Sequence, residues 1–354
     1  MQSPPEATCL RLEEVATLAS LQRLRPAWQA LWQEVPSATP FQSPGWLIPW
    51  WQHIGEGELM TLTIWREPDE RLVGLVPLYI YPEVSGRRLV FLLGMATTDY
   101  LDALAAPGHA DAVMSLAFRH LAAQGSRWEV CEWPQLRPES ALLVAAVPQG
   151  WREEMGESEA CPLLALPPTV DGLREAIPAK TRQNLRTARR RAEQAGTLRW
   201  ERAGPRDAEE IFEAQILLHQ ARWGERGESG VLDTDAVRAA HRAAVPDLLR
   251  SDVLRLHALR LDGRIIATLY GLADRPGAAA RRVYFYLGGF DPGAAALSPG
   301  ALLLGHAIEE AVREGASAFD FLRGGEAYKY RWGARDAPTY RRRLVHASAV
   351  LQGA

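Results

Sequence analysis

The sequence predicts an α/β fold built from two copies of one unit, each a mixed, mostly antiparallel sheet flanked by helices. Three observations carry that expectation. The chain has 354 residues, enough for two ordinary domains. Each half reads as two strands joined by a tight turn, a third strand, one helix and a last strand. The two series superpose in element order at an offset of roughly 190 residues, although few residues coincide.

The composition is 47% hydrophobic and 23% charged, which suits a chain with real cores. Lys and Arg total 40 against 43 Asp and Glu, a formal net charge of -3, so no global field draws the chain to nucleic acid or membrane. Cys9, Cys131 and Cys161 share no metal-like spacing and read as reduced, buried thiols of a cytoplasmic protein. The opening MQSPPEATCLRLEE lacks the basic and apolar regions of a secretory signal. No apolar run approaches the roughly 20 residues that a bilayer span needs.

In order along the first half, a short strand is expected at about Cys9–Glu13 and a helix at about Ser20–Glu34. A loop containing PFQSPGW, Pro40 to Trp46, follows. Strands fall at about Glu58–Arg66, Arg71–Tyr81 and Arg87–Leu93, the first two joined across the hairpin turn Glu67-Pro68-Asp69-Glu70. A helix at about Asp111–Gln124 and a strand at Trp128–Glu132 complete the copy. Apolar strand character stops near Pro167-Pro168, which divides the chain into domains 1–167 and 168–354.

The second half repeats the order. Strands at about Val253–Arg260 and Arg264–Ala273 flank the turn Asp262-Gly263; then come the strand Val283–Phe290, the helix Pro299–Glu314 and the strand Ala318–Leu322. Two further helices precede them. One, about Lys180–Ala195, has a narrow apolar stripe of Leu185, Ala188, Ala192 and Ala195. Six cations and no anion fill Lys180 to Arg191, with Arg182, Arg186 and Arg190 at four-residue steps. That is either a solvated face or a landing strip for an anionic ligand such as a sugar nucleotide, a CoA phosphate or a tRNA backbone. The other, about Asp207–Arg222, brings His219, Arg222 and Trp223 to its end.

Chemistry gathers in FDFLRGGEAYKYRWG, Phe319 to Gly333, where a strand ends in Arg323-Gly324-Gly325 and an aromatic, basic cluster follows. Upstream, Ser298 suits an N-cap, Pro299 a first helical position, and Gly300 a close ligand approach. Gly288-Gly289 mark a bulge, a packing site, or a place where a backbone-like ligand lies alongside the strand. Lys329 is a candidate donor to an oxyanion or phosphate, and Tyr328 or Tyr330 a candidate acid for a leaving thiolate. Asp320 either orients a substrate amine, caps a turn or pairs with an arginine such as Arg323. No Ser/His/Asp or Cys/His arrangement, zinc signature, Walker A or GxGxxG motif occurs, which disfavours hydrolase, NTPase and dehydrogenase readings.

The runs KTRQNLRTARRRAEQAG, LHQARW, YFYLGGFDPGAAALSPGALLLGHAIEEA and FDFLRGGEAYKYRWGA resemble the GNAT-type acetyltransferases of the CelD/BcsL group, associated with cellulose and exopolysaccharide synthesis. PFQSPGWLIPWW, LVGLVPLY and TTDYLDALAAPG look like the first half of the same proteins. A wider resemblance is to the FemABX peptidyltransferases, which also carry tandem GNAT-like domains. The resemblance implies two such domains, the second carrying the transfer site. It implies transfer of an acyl group from a thioester or ester donor to an amine or hydroxyl; the leading expectation is acyl-CoA as co-substrate and a sugar or cell-envelope precursor as acceptor, with no metal. It makes Lys329 the foremost catalytic residue beside Tyr328 and Tyr330. Tyr286, Leu287, Gly288, Gly289, Ser298 and Gly300 are then expected at the donor, and Asp99, Tyr100, Arg222, Trp223, Asp320 and Arg323 at the acceptor. The usual pyrophosphate loop RxxGxG/A is replaced by FDPGAAALSPG, which leaves room for another donor, including aminoacyl-tRNA. A catalytically degenerate pair serving as a scaffold in polysaccharide assembly is the non-enzyme alternative.

Overall fold

The computed structural model describes residues 9–224, 227 and 230–346. Two compact units form: one from the residues up to Glu159 together with those from Pro338 onward, the other from Ala160 to Ala337.

The first unit opens with β1 (Cys9–Val15), α1 (Leu18–Arg23), α2 (Arg25–Glu34) and α3 (Pro44–His53). Then follow β2 (Glu58–Leu59), β3 (Thr61–Glu67), β4 (Arg71–Val76), β5 (Leu78–Pro82), β6 (Arg88–Leu92), β7 (Leu104–Ala105), α4 (Ala110–Ala123), β8 (Val130–Leu136), α5 (Ala141–Val144) and β9 (Arg152–Glu157). A last strand, Tyr340–Val345, inserts between β8 and β9. One sheet runs β1-β3-β4-β7; the other runs β2, β5, β6, β8, the last strand and β9. Among the described residues of this unit only β6 and β8 pair in parallel, and α4 is the crossover between them. It lies so close to β4 that a Cβ at Gly74 would meet the Val113 side chain at 2.5 Å. The PFQSPGW segment expected as a loop in fact enters α3. Trp46, Leu47, Ile48 and Trp50 are all buried there, and a helix apolar on every side carries no 3.6-residue period to read.

The second unit contains β10 (Cys161–Ala165), α6 (Val170–Ala176), α7 (Ala179–Ala195), β11 (Leu198–Arg202), α8 (Ala208–Gly224) and α9 (Asp235–Arg250). Next are β12 (Leu254–Leu261), β13 (Arg264–Ala273), β14 (Arg282–Phe290), α10 (Pro299–Arg313), β15 (Ala318–Asp320), α11 (Ala327–Tyr330) and β16 (Arg335–Ala337); the last strand is β17. The seven-stranded sheet runs β11-β12-β13-β14-β15-β10-β16, antiparallel except for β14 with β15. Phe212 of α8 and His241 of α9 meet Tyr270 on one face of the sheet. The other face joins α10 in a core that includes Leu269, Leu303, Ile308 and Phe319.

The two copies are thus a topological repeat. Each has antiparallel strands, a crossover helix, a parallel pair and then an antiparallel neighbour. The expected division at Pro167-Pro168 differs from the observed one. β10 lies before those prolines yet pairs with β15 and β16 in the second sheet, while β17 pairs in the first. Edge N–H and C=O groups must find partners, and which strand supplies them is a long-range choice that no local composition marks. Arg342 anchors β17: buried, it donates to the Leu142 and Ala145 carbonyls and pairs with Glu153 at 2.8 Å. Cys131 and Cys161 are buried, but Cys9 is exposed because it begins the edge strand β1.

Burial pushes the His241 imidazole down to about 3. The unfolded chain therefore binds a proton below about 6.5 that the folded state refuses until far lower pH. Stability from the neutral ring is full above that value and is lost as pH falls. We expect His241→Phe, which keeps the packing against Phe212, Tyr270 and Tyr286, to flatten the decline between pH 6.5 and 4 by up to about 1.4 kcal/mol per pH unit. Urea titrations across that range check it; parallel slopes in the two proteins would contradict it.

Candidate functional site

β14 and β15 pair over only three residues, Arg282–Tyr284 with Ala318–Asp320. β14 then runs on to Phe290 while the chain beyond Asp320 turns away, through positive φ at Leu322 and Gly324. The strands part like the arms of a V. Beyond the fork lies a cavity of about 440 Å³, with Phe285, Gly288 and Gly289 on one side and Tyr328 and Trp332 on another. The start of α10 (Ser298, Gly300, Ala301) and the Leu185 side of α7 complete it.

Several features make the fork a polar-lined recess in apolar walls. In the β13–β14 ladder Tyr270 faces Leu287 and Gly271 faces Phe285, so Tyr286 is an extra, bulged residue beside the fork. The Thr268 hydroxyl is buried, lines the cavity and has no hydrogen-bond partner among the described residues. Ser298 is left-handed (φ 54°) and its side chain does not cap α10. The capping expected from its residue type is therefore absent, and the first N–H groups of a long helix are left for a ligand. A Cβ at Gly300 would meet nothing nearer than the Phe290 ring at 3.4 Å, so that approach is open.

Of the expected donor-site residues, Gly288, Gly289, Ser298 and Gly300 come to this cavity, while Tyr286 and Leu287 are not among its lining residues. Tyr286 turns to the opposite face, with its hydroxyl 3.5 Å from His241 Nε2. Gly289 also has a packing reason: a Cβ there would lie 2.7 Å from the backbone nitrogen of His219, because α8 rests directly on β14.

The aromatic, basic cluster divides in three. Tyr328 lines the cavity, edge-on to Phe285 and Phe321. Burial raises its phenol above the ordinary value, so it is protonated and able to donate at neutral pH. Tyr330 points elsewhere: exposed, it donates to Asp336 at 2.7 Å. Lys329 is 2% exposed and its Nζ donates to the carbonyls of Leu322, Arg323 and Gly324 at 3.2, 2.6 and 3.0 Å, with Glu326 at 2.8 Å. An ammonium has three donors, and here the loop takes them. The expected oxyanion donor is, in this geometry, the post that holds the Leu322–Gly324 turn beside the fork.

The expected acceptor-site residues separate too. Arg222 lines the cavity, donating to the Gly288 carbonyl at 3.3 Å with its guanidinium 5.6 Å from the Phe290 ring centroid. Trp223 packs near His219 instead. Asp320 is fully buried and accepts the Leu322 N–H at 2.8 Å, so the turn-capping reading prevails over substrate orientation. Arg323 lends its carbonyl to Lys329, and its side chain does not line the cavity. Asp99 and Tyr100 are each 3% exposed within the first unit, where the Tyr100 carbonyl accepts from Gln42 Nε2 at 2.7 Å. Neither is open to a ligand. Thr268 and Phe285 were not anticipated, because a Thr or Phe inside a strand looks like ordinary β-former usage.

Fork, bulge and crossover helix define a GNAT-like α/β fold with mixed sheets flanked by helices, present in tandem. Residues 179–330 match the family described as Acetyltransferase (GNAT) domain. No curated protein matches the chain. Among solved structures, FemX aligns with a TM-score of 0.66 and 11% identity over 97% of this chain and 99% of that one. The C-terminal domain of a putative lysylphosphatidylglycerol synthetase from Agrobacterium fabrum gives 0.56 and 14%, over 95% of each chain. L-PGS from Bacillus licheniformis gives 0.55 and 13%, over 92% of this chain and 95% of that one. At these identities the likeness concerns the fold.

Two substitutions probe the local architecture. Gly289→Ala should cost about 1–3 kcal/mol, since helix backbone cannot yield to the methyl group. Lys329→Met should cost a similar ~1–3 kcal/mol by stranding buried carbonyls. Denaturant midpoints measure both, and wild-type stability in either variant would refute the corresponding contact.

Proposed function

We propose that the chain is an acyltransferase of the GNAT kind, with its transfer site in the second unit. It takes an acyl group from acyl-CoA, such as acetyl-CoA, and delivers it to an amine or hydroxyl of a sugar or cell-envelope precursor. The observation that carries the reading is the forked β14–β15 pair, with Thr268 orphaned and the α10 N-terminus uncapped at the same cavity. A pantetheine arm has amides of its own, so it can take the place that a strand would occupy beside β14. The Gly300 and Ala301 end of α10 suits the donor's phosphates, by N–H donation and helix dipole. The choice of a sugar or exopolysaccharide precursor rests on the CelD/BcsL resemblance of the cavity-lining motifs.

In the step we propose, the acceptor nitrogen or oxygen attacks the thioester carbon. The carbonyl oxygen gathers charge against N–H groups at the β14 bulge. The C–S bond breaks, Tyr328 protonates the departing thiolate, and the acceptor's released proton restores the phenol. Lys329 acts at one remove, keeping the Leu322–Gly324 turn and Tyr328 in place.

A second reading, an aminoacyl-tRNA-dependent transfer, is favoured by one observation. Among the described residues, Lys180, Arg182, Arg186, Arg190 and Arg191 of α7 make no ion pair.

The first reading expects acetyl-CoA to raise the melting temperature, by an amount equivalent to about 2.7 kcal/mol at one hundred times its Kd. Gly300→Leu should abolish the shift, and Tyr328→Phe should keep it while lowering kcat by about 10²–10⁴-fold. Absence of a shift with any CoA thioester at millimolar concentration overturns it. Steeply salt-dependent tRNA binding, lost when Arg186 and Arg190 are neutralised, would replace it with the second.

A further inference from the structure

A second and larger cavity, about 610 Å³, lies among α6, α7 and α10. Leu185 and Trp332 line both it and the forked cavity, so these two side chains are the wall between them. The wall stands where it does because α10 carries Gly305 in its middle. A Cβ there would sit 3.1 Å from the Trp332 ring and 3.7 Å from Leu185.

The lining has two characters. Its floor is apolar: Leu173 from α6, Ile177 just beyond the end of that helix, Leu302 from α10, and Trp200. Trp200 lies against the His306 ring, 5.0 Å between centroids. The rim is cationic. Arg174, Arg189 and Arg313 line it, but each is paired, with Asp171, Glu193, and Glu309 and Glu310 respectively. Arg182 and Arg186 line it without any ion pair or hydrogen bond of their side chains among the described residues. The one carboxylate in the lining is Glu309, already held by Arg313.

Arg182 and Arg186 stand one turn apart on one face of α7. Unpaired like charges at that spacing repel unless an anion lies between them. Two guanidinium forks carried one turn apart at the rim of an apolar floor match a phosphate group, whose several oxygens can accept both forks. The volume is that of a site for an organic molecule, and the floor offers nothing to a bare ion.

We propose that this cavity binds a phosphate ester with an apolar or aromatic body, its phosphate held by Arg182 and Arg186 and its body laid on Leu173, Leu302 and Trp200. The site is distinct from the forked cavity and separated from it by the Leu185–Trp332 wall. Nucleotides and lipid phosphates share this chemistry.

The test is calorimetry on the full chain with ADP, dodecyl phosphate below its micellar concentration, and inorganic pyrophosphate. At least one organic phosphate should bind ten or more times tighter than pyrophosphate. ADP as the tighter ligand assigns a nucleotide; dodecyl phosphate assigns a lipid phosphate. The double variant R182A/R186A, which loses no ion pair or side-chain hydrogen bond among the described residues, should melt like wild type and bind that probe at least tenfold more weakly. Gly300→Leu, which fills only the forked cavity, should leave the affinity unchanged. Equal binding of pyrophosphate, no binding of either organic probe at millimolar concentration, binding of tRNA alone, insensitivity to R182A/R186A, or loss of binding in Gly300→Leu would each overturn the proposal. The measurement needs no thioester, so its failure is independent of a failure of the transfer reading.

Discussion

The parting of β14 from β15 is the constraint on which the second unit depends. Three paired residues hold the strands together, and beyond Tyr284 the edge of β14 has no pairing with β15. An unpaired strand edge is normally covered or blunted; here it borders a cavity closed by helices. The bulge at Tyr286 and the turn at Leu322 aim the two arms apart. Asp320 and Lys329 then lock that turn from both sides, one accepting its N–H and the other collecting its carbonyls. The most concentrated chemistry in the sequence is thus spent partly on architecture. Only Tyr328, of the three candidates, meets the space the fork creates.

The same economy governs the glycines. Gly289 lets α8 lie on β14, Gly74 lets α4 lie on β4, and Gly305 seats the wall between two cavities. Each removes a Cβ where another group already stands: helix backbone at Gly289, the Val113 side chain at Gly74 and the Trp332 ring at Gly305. Gly300 differs, since space around it is open and its helix end is uncapped. Packing glycines and ligand glycines look identical in a sequence, and the neighbouring atoms alone tell them apart.

Much of the fold was legible because its signals are local. Strand alternation, the Asp262-Gly263 turn and the Pro299 helix start placed β13, β14 and α10 within a residue or so. The cationic run of α7 was equally plain. What escaped was long-range or lacked a period. The first two turns of α3 are buried on every side, and the partners of β10 and β17 lie well over a hundred residues away. The site was legible as a region but not as roles. Asp320 is an acid that satisfies an interior backbone N–H, while Asp99 and Tyr100 are buried within the first unit.

By itself the sequence determined the repeated α/β unit, the helix that opens at Pro299 and the neighbourhood in which chemistry would gather, since propensity and turn chemistry act over a few residues. Only the tertiary structure decided which strand completes which sheet, that the Lys329 ammonium is committed to three carbonyls, and that Thr268 and Tyr328 share a cavity. Those outcomes depend on where chain segments distant in sequence meet. A buried donor takes whichever acceptors the fold brings within about 3 Å.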